Sequence, residues 1–173
     1  LLSALGAGLF LTFGRELIGL YLTGEGTPEE AAATMEYGLR YLRVMLLGLV
    51  PFALANAYSG TLREIGETKV PMAAGIIAVL VNLVGNYILI FGHFGAPALG
   101  VVGAAIATVI SRYVELAIVA LWTHTHGKRY PFITGALRSV HIPGKLTGDI
   151  IRKGMPLLVN EFFWASGMAI MNQ

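Results

Sequence analysis

The sequence predicts an all-α fold, a polytopic bundle of helices that cross a membrane, and three observations carry that expectation. First, long apolar stretches fill most of the chain, at residues 1–22, 41–59, 70–91, 101–123 and 154–172. Each is about 20 residues, the length of helix that spans a ~30 Å hydrocarbon layer at ~1.5 Å per residue. A soluble core helix would be shorter and would show a polar face. Second, charged residues make up 13% of the chain, about half the ~25% of a soluble domain, and the mean hydropathy is +0.70. Third, the connecting segments alternate in basic content. Arg63 and Lys69 lie in one connection, and Lys128, Arg129, Arg138, Lys145, Arg152 and Lys153 lie in another, whereas residues 23–32 and 92–100 carry no Lys or Arg. A chain that crosses repeatedly keeps its basic loops in the cytoplasm. That rule assigns 60–69 and 124–153 to the cytoplasm and the other two connections to the outside. The same distribution argues against nucleic acid as a partner, despite a net charge of +2.

Taken in order, the first stretch carries Gly6, Gly8, Gly14 and Gly19, small residues that let helices approach closely in lipid. Arg15 and Glu16 fall toward its outer end, where long side chains reach the headgroups. Thr27-Pro28-Glu29-Glu30 reads as a helix start: Thr caps, Pro takes the first helical position and Glu30 closes a capping box. The helix that follows is long, with Glu36, Arg40 and Arg43 ahead of its apolar part and a kink expected at Pro51. After a turn at Gly66, Pro71 can open the third helix, which holds Asn82 and Asn86. Residues 92–100 form a tight, turn-rich connection. The fourth helix opens on a small-residue run that includes Gly103, Ala104, Ala105 and Ala107. Residues 127–153 are too polar to cross and read as a basic segment on the cytoplasmic surface, partly an amphipathic helix. A last helix begins at 154, with Pro156 near its start. The expected organisation is therefore 1–126 with four membrane helices, 127–153 as a linker and 154–173 as the first helix of a second half. The chain opens on Leu and closes on Met-Asn-Gln, each inside an apolar stretch, and reads as a piece of a longer protein.

Polar groups inside the apolar stretches are the candidate functional residues. Glu161 follows Lys153 by eight residues, which places it ~12 Å along the helix from the cytoplasmic boundary, close to the midplane. An ionised carboxylate there costs ~2.5–3.5 kcal/mol even on the lenient insertion scale. A watery cavity, a bound cation or a proton makes it tolerable; so does a structural ion pair. Asn82 and Asn86 are spaced i, i+4 and share a helix face. Their amide oxygens can ligate Na⁺ or bind substrate or water, and Thr108 falls in the same outer half of the bilayer by residue counting. The other reading is interhelical glue, and the spacing leaves both open. Arg112 and Glu115 are adjacent at i, i+3, either neutralising each other or placing one of the two on a pathway. His124 and His126 do not share a face, and His93 and His141 read as solvated connection residues. There is no cysteine, hence no disulfide or thiolate chemistry. No Walker-type phosphate loop, His-Glu-x-x-His zinc motif or Gly-x-Ser-x-Gly nucleophile turn is present, so nothing suggests ATP hydrolysis or proteolysis.

Several segments carry a family resemblance. Residues 59–71, from Ser59 through Arg63 and Gly66 to Pro71, resemble the connection between the fourth and fifth helices of MATE transporters, the multidrug and toxic compound extrusion family. Residues 82–92, with Asn82, Asn86 and Gly92, look like the end of that family's fifth helix, and residues 100–112, from Gly100 to Arg112, are similar to the start of its sixth. Residues 154–164, with Pro156, Asn160, Glu161 and Trp164, look like its seventh. The order and spacing agree over essentially the whole chain.

The resemblance implies twelve helices in two six-helix lobes around a central cavity that opens alternately to either side. This chain would hold the third to seventh, with 127–153 as the interlobe linker. It implies export of cationic or amphipathic small molecules by Na⁺- or H⁺-coupled antiport, with no cofactor beyond the coupling ion and no enzymatic activity. It implies a monomer in the lipid bilayer of a prokaryotic inner membrane. Glu161 aligns with the membrane carboxylate that many members use for coupling, Asn82 and Asn86 with the polar pair of the fifth helix, and Thr108 with a polar position of the sixth. One branch has Asp at the position of Asn86, so this chain lacks a titratable group there. Asn160, Trp164, Arg112 and Glu115 are the candidate substrate-cavity residues. A lipid-linked oligosaccharide flippase of the same superfold is the alternative, disfavoured because only Arg112 is a central basic residue. A membrane-embedded prenyl-transferase-like enzyme would call for paired Asp-rich motifs, and the sole Asp is Asp149.

Overall fold

The computed structural model describes residues 2–21, 27–127 and 144–171. Among them every long element is an α-helix: α1 Leu2–Tyr21, α2 Pro28–Glu64, α3 Lys69–Phe91, α4 Val101–Thr125 and α5 Gly144–Met171. One 3₁₀ turn, His93–Gly95, sits between α3 and α4. The chain separates into two compact units, Leu1–His126 and Gly127–Gln173. Among the described residues three helices are long and apolar enough to cross a membrane: Glu29–Glu64, Lys69–Phe91 and Val101–Thr125. They cover the second, third and fourth predicted stretches. Helices α1 and α5 cover the first and fifth.

The capping box read from the sequence starts α2. The Glu30 amide donates to the Thr27 hydroxyl at 3.4 Å, and the Thr27 amide donates to Glu30 Oε2 at 2.8 Å. Helix α2 is 37 residues long, ~55 Å at ~1.5 Å per residue and well beyond the ~30 Å it needs to span. The exposed ion pair Arg40–Glu36, 2.6 Å, lies in its N-terminal third. The helix runs through Pro51 without a break. At the other end of the chain, α5 starts at Gly144, ten residues before the apolar stretch in which the last helix was expected to begin, and Pro156 lies in its interior. Apolarity marks the depth of a segment in the membrane, not the start of its helix; Lys145, Asp149, Arg152 and Lys153 are helical but polar. Residues 128–143 of the expected linker lie outside the described residues.

In the first unit α4 packs against both α2 and α3, and α1 packs against α2. Glycines set the spacing. Helices α3 and α4 run antiparallel, Gly85 against Ala107 and Gly103 against the Leu89 backbone, whereas α2 and α4 run the same way, Gly48 against Val109 and Tyr58 against His124. Gly6, Gly14 and Gly19 of α1 face Leu49, Leu42 and Met35 of α2, while Gly8 faces none of the neighbouring helices. The α3–α4 connection depends on Gly92, which caps α3 at φ 74° with its N–H on the Ile88 carbonyl. A Cβ there would meet the Ala98 amide at 2.9 Å. A cluster of fully buried side chains lies where α2 ends and α3 begins. Leu62, Ala74 and Val119 are fully buried there, walled by Tyr58, Ile65, Val70, Ile118 and Trp122.

Candidate functional site

Polar side chains of α3 and α4 form a connected chain across the seam between these helices. Asn82 and Asn86 share a face because they are four residues apart, and the Asn86 Nδ2 amide donates to Asn82 Oδ1 at 3.1 Å. The antiparallel register brings Thr108 opposite, and Asn82 Nδ2 donates to its hydroxyl at 3.1 Å. Thr108 in turn donates to the Ala104 carbonyl at 2.9 Å. Each of these amide and hydroxyl groups donates to an acceptor. One acceptor is left over: Asn86 Oδ1 is buried and, among the described residues, has no hydrogen-bond partner. A buried unpaired amide oxygen costs about 1–3 kcal/mol. A hard cation, a water or a substrate hydroxyl would satisfy it, since Asn oxygen offers two lone pairs and hard cations take oxygen ligands.

One turn along α4, Arg112 Nη1 donates to Glu115 Oε2 at 2.9 Å, so the ion pair anticipated from the i, i+3 spacing forms. The guanidinium also lies over the Phe52 ring of α2, 5.1 Å from its centroid, within range of a cation–π attraction. A cavity of about 480 Å³ gathers these groups. Gly75, Ala78, Val79 and Asn82 line it from α3, and Thr108, Ser111, Arg112 and Glu115 from α4. A second cavity of about 220 Å³ opens toward α2 at Met45, Leu49 and Phe52 and shares Thr108 and Arg112 with the first. A third, about 460 Å³, shares Gly75, Val79 and Glu115 and extends to Arg63. Asn86 contributes to none of these walls.

Glu161, Asn160 and Trp164 lie on α5 in the second unit, and all three are exposed there. None of the described ion pairs involves Glu161. The eight candidate residues thus fall into a hydrogen-bonded trio, Asn86, Asn82 and Thr108, and an ion pair, Arg112 and Glu115, on α3 and α4, with the other three on α5.

Reading the sequence did not single out Ser111 or Phe52. Ser111 follows Thr108 by three and precedes Glu115 by four, so helical periodicity alone puts it on the cavity face. It donates to the Thr108 carbonyl at 2.7 Å. Phe52 gives no such signal, because its role depends on how α2 packs against α4. The histidines are engaged as aromatic partners. The Tyr58 hydroxyl is hydrogen-bonded to His124 Nε2 at 3.2 Å, His126 stacks on Trp122 at 4.3 Å and His93 stacks on Tyr87 at 4.3 Å. His141 lies outside the described residues.

Comparisons with known proteins agree on one family. The MatE family model matches residues 1–88. The chain is 34% identical over 154 residues to a probable multidrug resistance protein NorM of Thermotoga maritima, covering 88% of this chain and 31% of that protein. It is 30% identical to a probable NorM of Oceanobacillus iheyensis, covering 92% of this chain and 37% of that protein. It is 27% identical to the multidrug resistance protein MdtK of Klebsiella pneumoniae, covering 79% of this chain and 30% of that protein. The chain therefore spans about a third of the length of the curated relatives it matches. No solved structure matches it significantly. A match over half of its length and three helices built to cross a bilayer make it a membrane-integral protein, and the chain belongs to the MatE family.

Proposed function

We propose that the chain is part of a secondary-active transporter that exports cationic or amphipathic small molecules by antiport against Na⁺ or H⁺. The observation that carries this reading is Glu161, a carboxylate on α5 eight residues past Lys153, within the apolar stretch and with no described ion pair. A group so costly to ionise in lipid is useful where a cation or proton visits it. The names of the relatives, multidrug resistance proteins, support the export of small molecules.

The mechanism follows from differential affinity. Only a ligand that binds two facing states unequally shifts the balance between them. A carboxylate within an apolar stretch supplies that inequality: occupied by the coupling ion it releases organic cation, and emptied of the ion it accepts one. The Asn86–Asn82–Thr108 chain offers neutral oxygens, of which Asn86 Oδ1 has spare capacity. In this reading that chain offers oxygen ligands within the first unit, and Glu161, by itself in the second, offers a charge. Residues 1–126 belong to one lobe, 127–153 form the linker and 154–173 open the other lobe of a monomeric, non-enzymatic inner-membrane protein. A flippase for anionic lipid-linked sugars finds no support in the cavity, because Glu115 neutralises its central cation, Arg112.

The test is export of ethidium, a fluorescent organic cation, from vesicles that contain the full-length protein, under an imposed Na⁺ gradient, an imposed proton gradient, or neither. Export that follows one gradient and falls at least about tenfold with Glu161→Gln, a loss of ~1.4 kcal/mol, is the expected result. Gradient-independent flux unchanged by that substitution contradicts the reading.

A further inference from the structure

We propose that Glu115 is a docking carboxylate for the positive group of a transported molecule, and that Arg112 is its internal competitor, an arginine that holds the carboxylate until cargo replaces it. The proposal rests on the export reading above and adds to it a second place, on α4, where cargo charge is received.

The asymmetry of the pair is the starting point. Arg112 has two holds on two helices: Glu115 at 2.9 Å on its own helix and the Phe52 ring at 5.1 Å on α2. Among the described residues Glu115 has one, Arg112. When the pair opens, the guanidinium keeps an aromatic partner, while the carboxylate is left with none. Their exposure differs in the same sense: the Arg112 side chain is 39% exposed and that of Glu115 19%. A half-buried charge that loses its partner demands another of the same sign, and removal of one member of such a pair is far costlier than exchange.

Space is arranged to match. Arg112 lines both the 480 Å³ cavity and the smaller one beside Phe52, so the guanidinium can lean toward α2 without leaving a cavity wall. Glu115 lines the 480 Å³ cavity and the one reaching Arg63, so its carboxylate borders the larger volumes. The neighbouring side chains are already engaged. Asn82 donates to Thr108, Thr108 to the Ala104 carbonyl and Ser111 to the Thr108 carbonyl. A carboxylate has about four acceptor sites, and Arg112 reaches one of the Glu115 oxygens, so Glu115 keeps acceptor capacity for the donors of a cation. An anion would draw Arg112 away and strand Glu115, whereas a cation satisfies Glu115 and leaves Arg112 on Phe52. The geometry therefore selects cations.

The experiment is equilibrium binding of ethidium to the purified full-length protein, read by fluorescence polarisation, for the wild type, Glu115→Gln, Glu115→Asp and Arg112→Gln. Glu115→Gln is expected to weaken binding about tenfold, Glu115→Asp to restore most of it, and Arg112→Gln to tighten it about threefold or more, because the competitor is gone. A merely structural ion pair moves both single variants the same way, together with the thermal unfolding midpoint, and that result overturns the proposal, as do unchanged affinities. If Glu115→Gln fails to fold, Arg112→Gln decides: tighter binding supports competition, and equal or weaker binding refutes it. Wild-type export of ethidium with undiminished binding in Glu115→Gln defeats this inference alone. Wild-type protein that neither binds nor exports ethidium defeats the export reading with it.

Discussion

The Tyr113 hydroxyl on α4 donates to the Leu47 carbonyl on α2 at 3.4 Å, and Leu47 is the residue four before Pro51. Proline has no N–H, so the carbonyl at i−4 loses its helical donor. In lipid no water replaces it, and an unsatisfied backbone group costs several kcal/mol. Helix α4 supplies the missing donor from outside, which is how α2 runs on through a buried proline. Tyr113→Phe should therefore destabilise the wild type by about 0.6 kcal/mol, the mean of hydrogen bonds between membrane helices. It should cost almost nothing in a Pro51→Ala background. Unfolding of the four proteins in mixed detergent measures the cycle, and equal costs in both backgrounds would remove the link between the two residues.

Gly103 and the Leu89 backbone touch so closely that a Cβ at 103 would sit 2.5 Å from the Leu89 oxygen and 2.7 Å from its carbon. These are main-chain atoms in a helix and cannot swing aside. Gly103→Ala should destabilise the protein by about 1–3 kcal/mol, the usual cost of overpacking. Gly60→Ala, with nothing within 4 Å of the new methyl, should be neutral or stabilising by up to ~1 kcal/mol through helix propensity. Comparison of the two unfolding midpoints checks the assignment.

Asn82 and Thr108 are a donor and acceptor in a half-buried seam. Thr108→Val keeps the shape of the side chain and strands the Asn82 amide, so it should cost about 1–3 kcal/mol. Adding Asn82→Leu removes the stranded donor as well, and the double variant should lose less than the sum of the two single ones. Simple additivity in unfolding experiments would mean that the bond carries no energy.

Charge sorting gives the orientation its own test. Phe94, 90% exposed in the turn after α3, belongs to a connection without Lys or Arg, and Glu64, exposed at the end of α2, belongs to a basic one. In a background without other cysteines, Phe94→Cys should react with a membrane-impermeant maleimide on intact cells. Glu64→Cys should react only after permeabilisation. The reverse pattern would invert the topology.

Much of this was legible in the chain because it is local. The Thr27–Glu30 box, the Asn82–Asn86 face and the Arg112–Glu115 pair are each set within one helix by spacings of three or four residues, and all are found. Residue counting in a two-helix hairpin placed Thr108 in the same half of the bilayer as Asn82, and the structure brings the two within hydrogen-bond distance. What the sequence withheld depends on packing between helices. Phe52 beneath Arg112, Tyr58 against His124 and Tyr113 on the Leu47 carbonyl all follow from the parallel seam of α2 and α4, whose register no short motif encodes. Helix in the basic segment before 154 was expected, but not that it runs unbroken into the last apolar stretch, because the polarity of residues 144–153 marks a boundary in depth and not in helix.

The most direct measurement is competition between the coupling ion and ethidium on the purified full-length protein, with and without Glu161→Gln. If the α5 carboxylate is where ion and cargo exchange, added Na⁺ or lowered pH weakens ethidium binding in the wild type, and Glu161→Gln abolishes that dependence. Competition that persists undiminished in Glu161→Gln, or a wild type whose ethidium affinity ignores both Na⁺ and pH, contradicts the account.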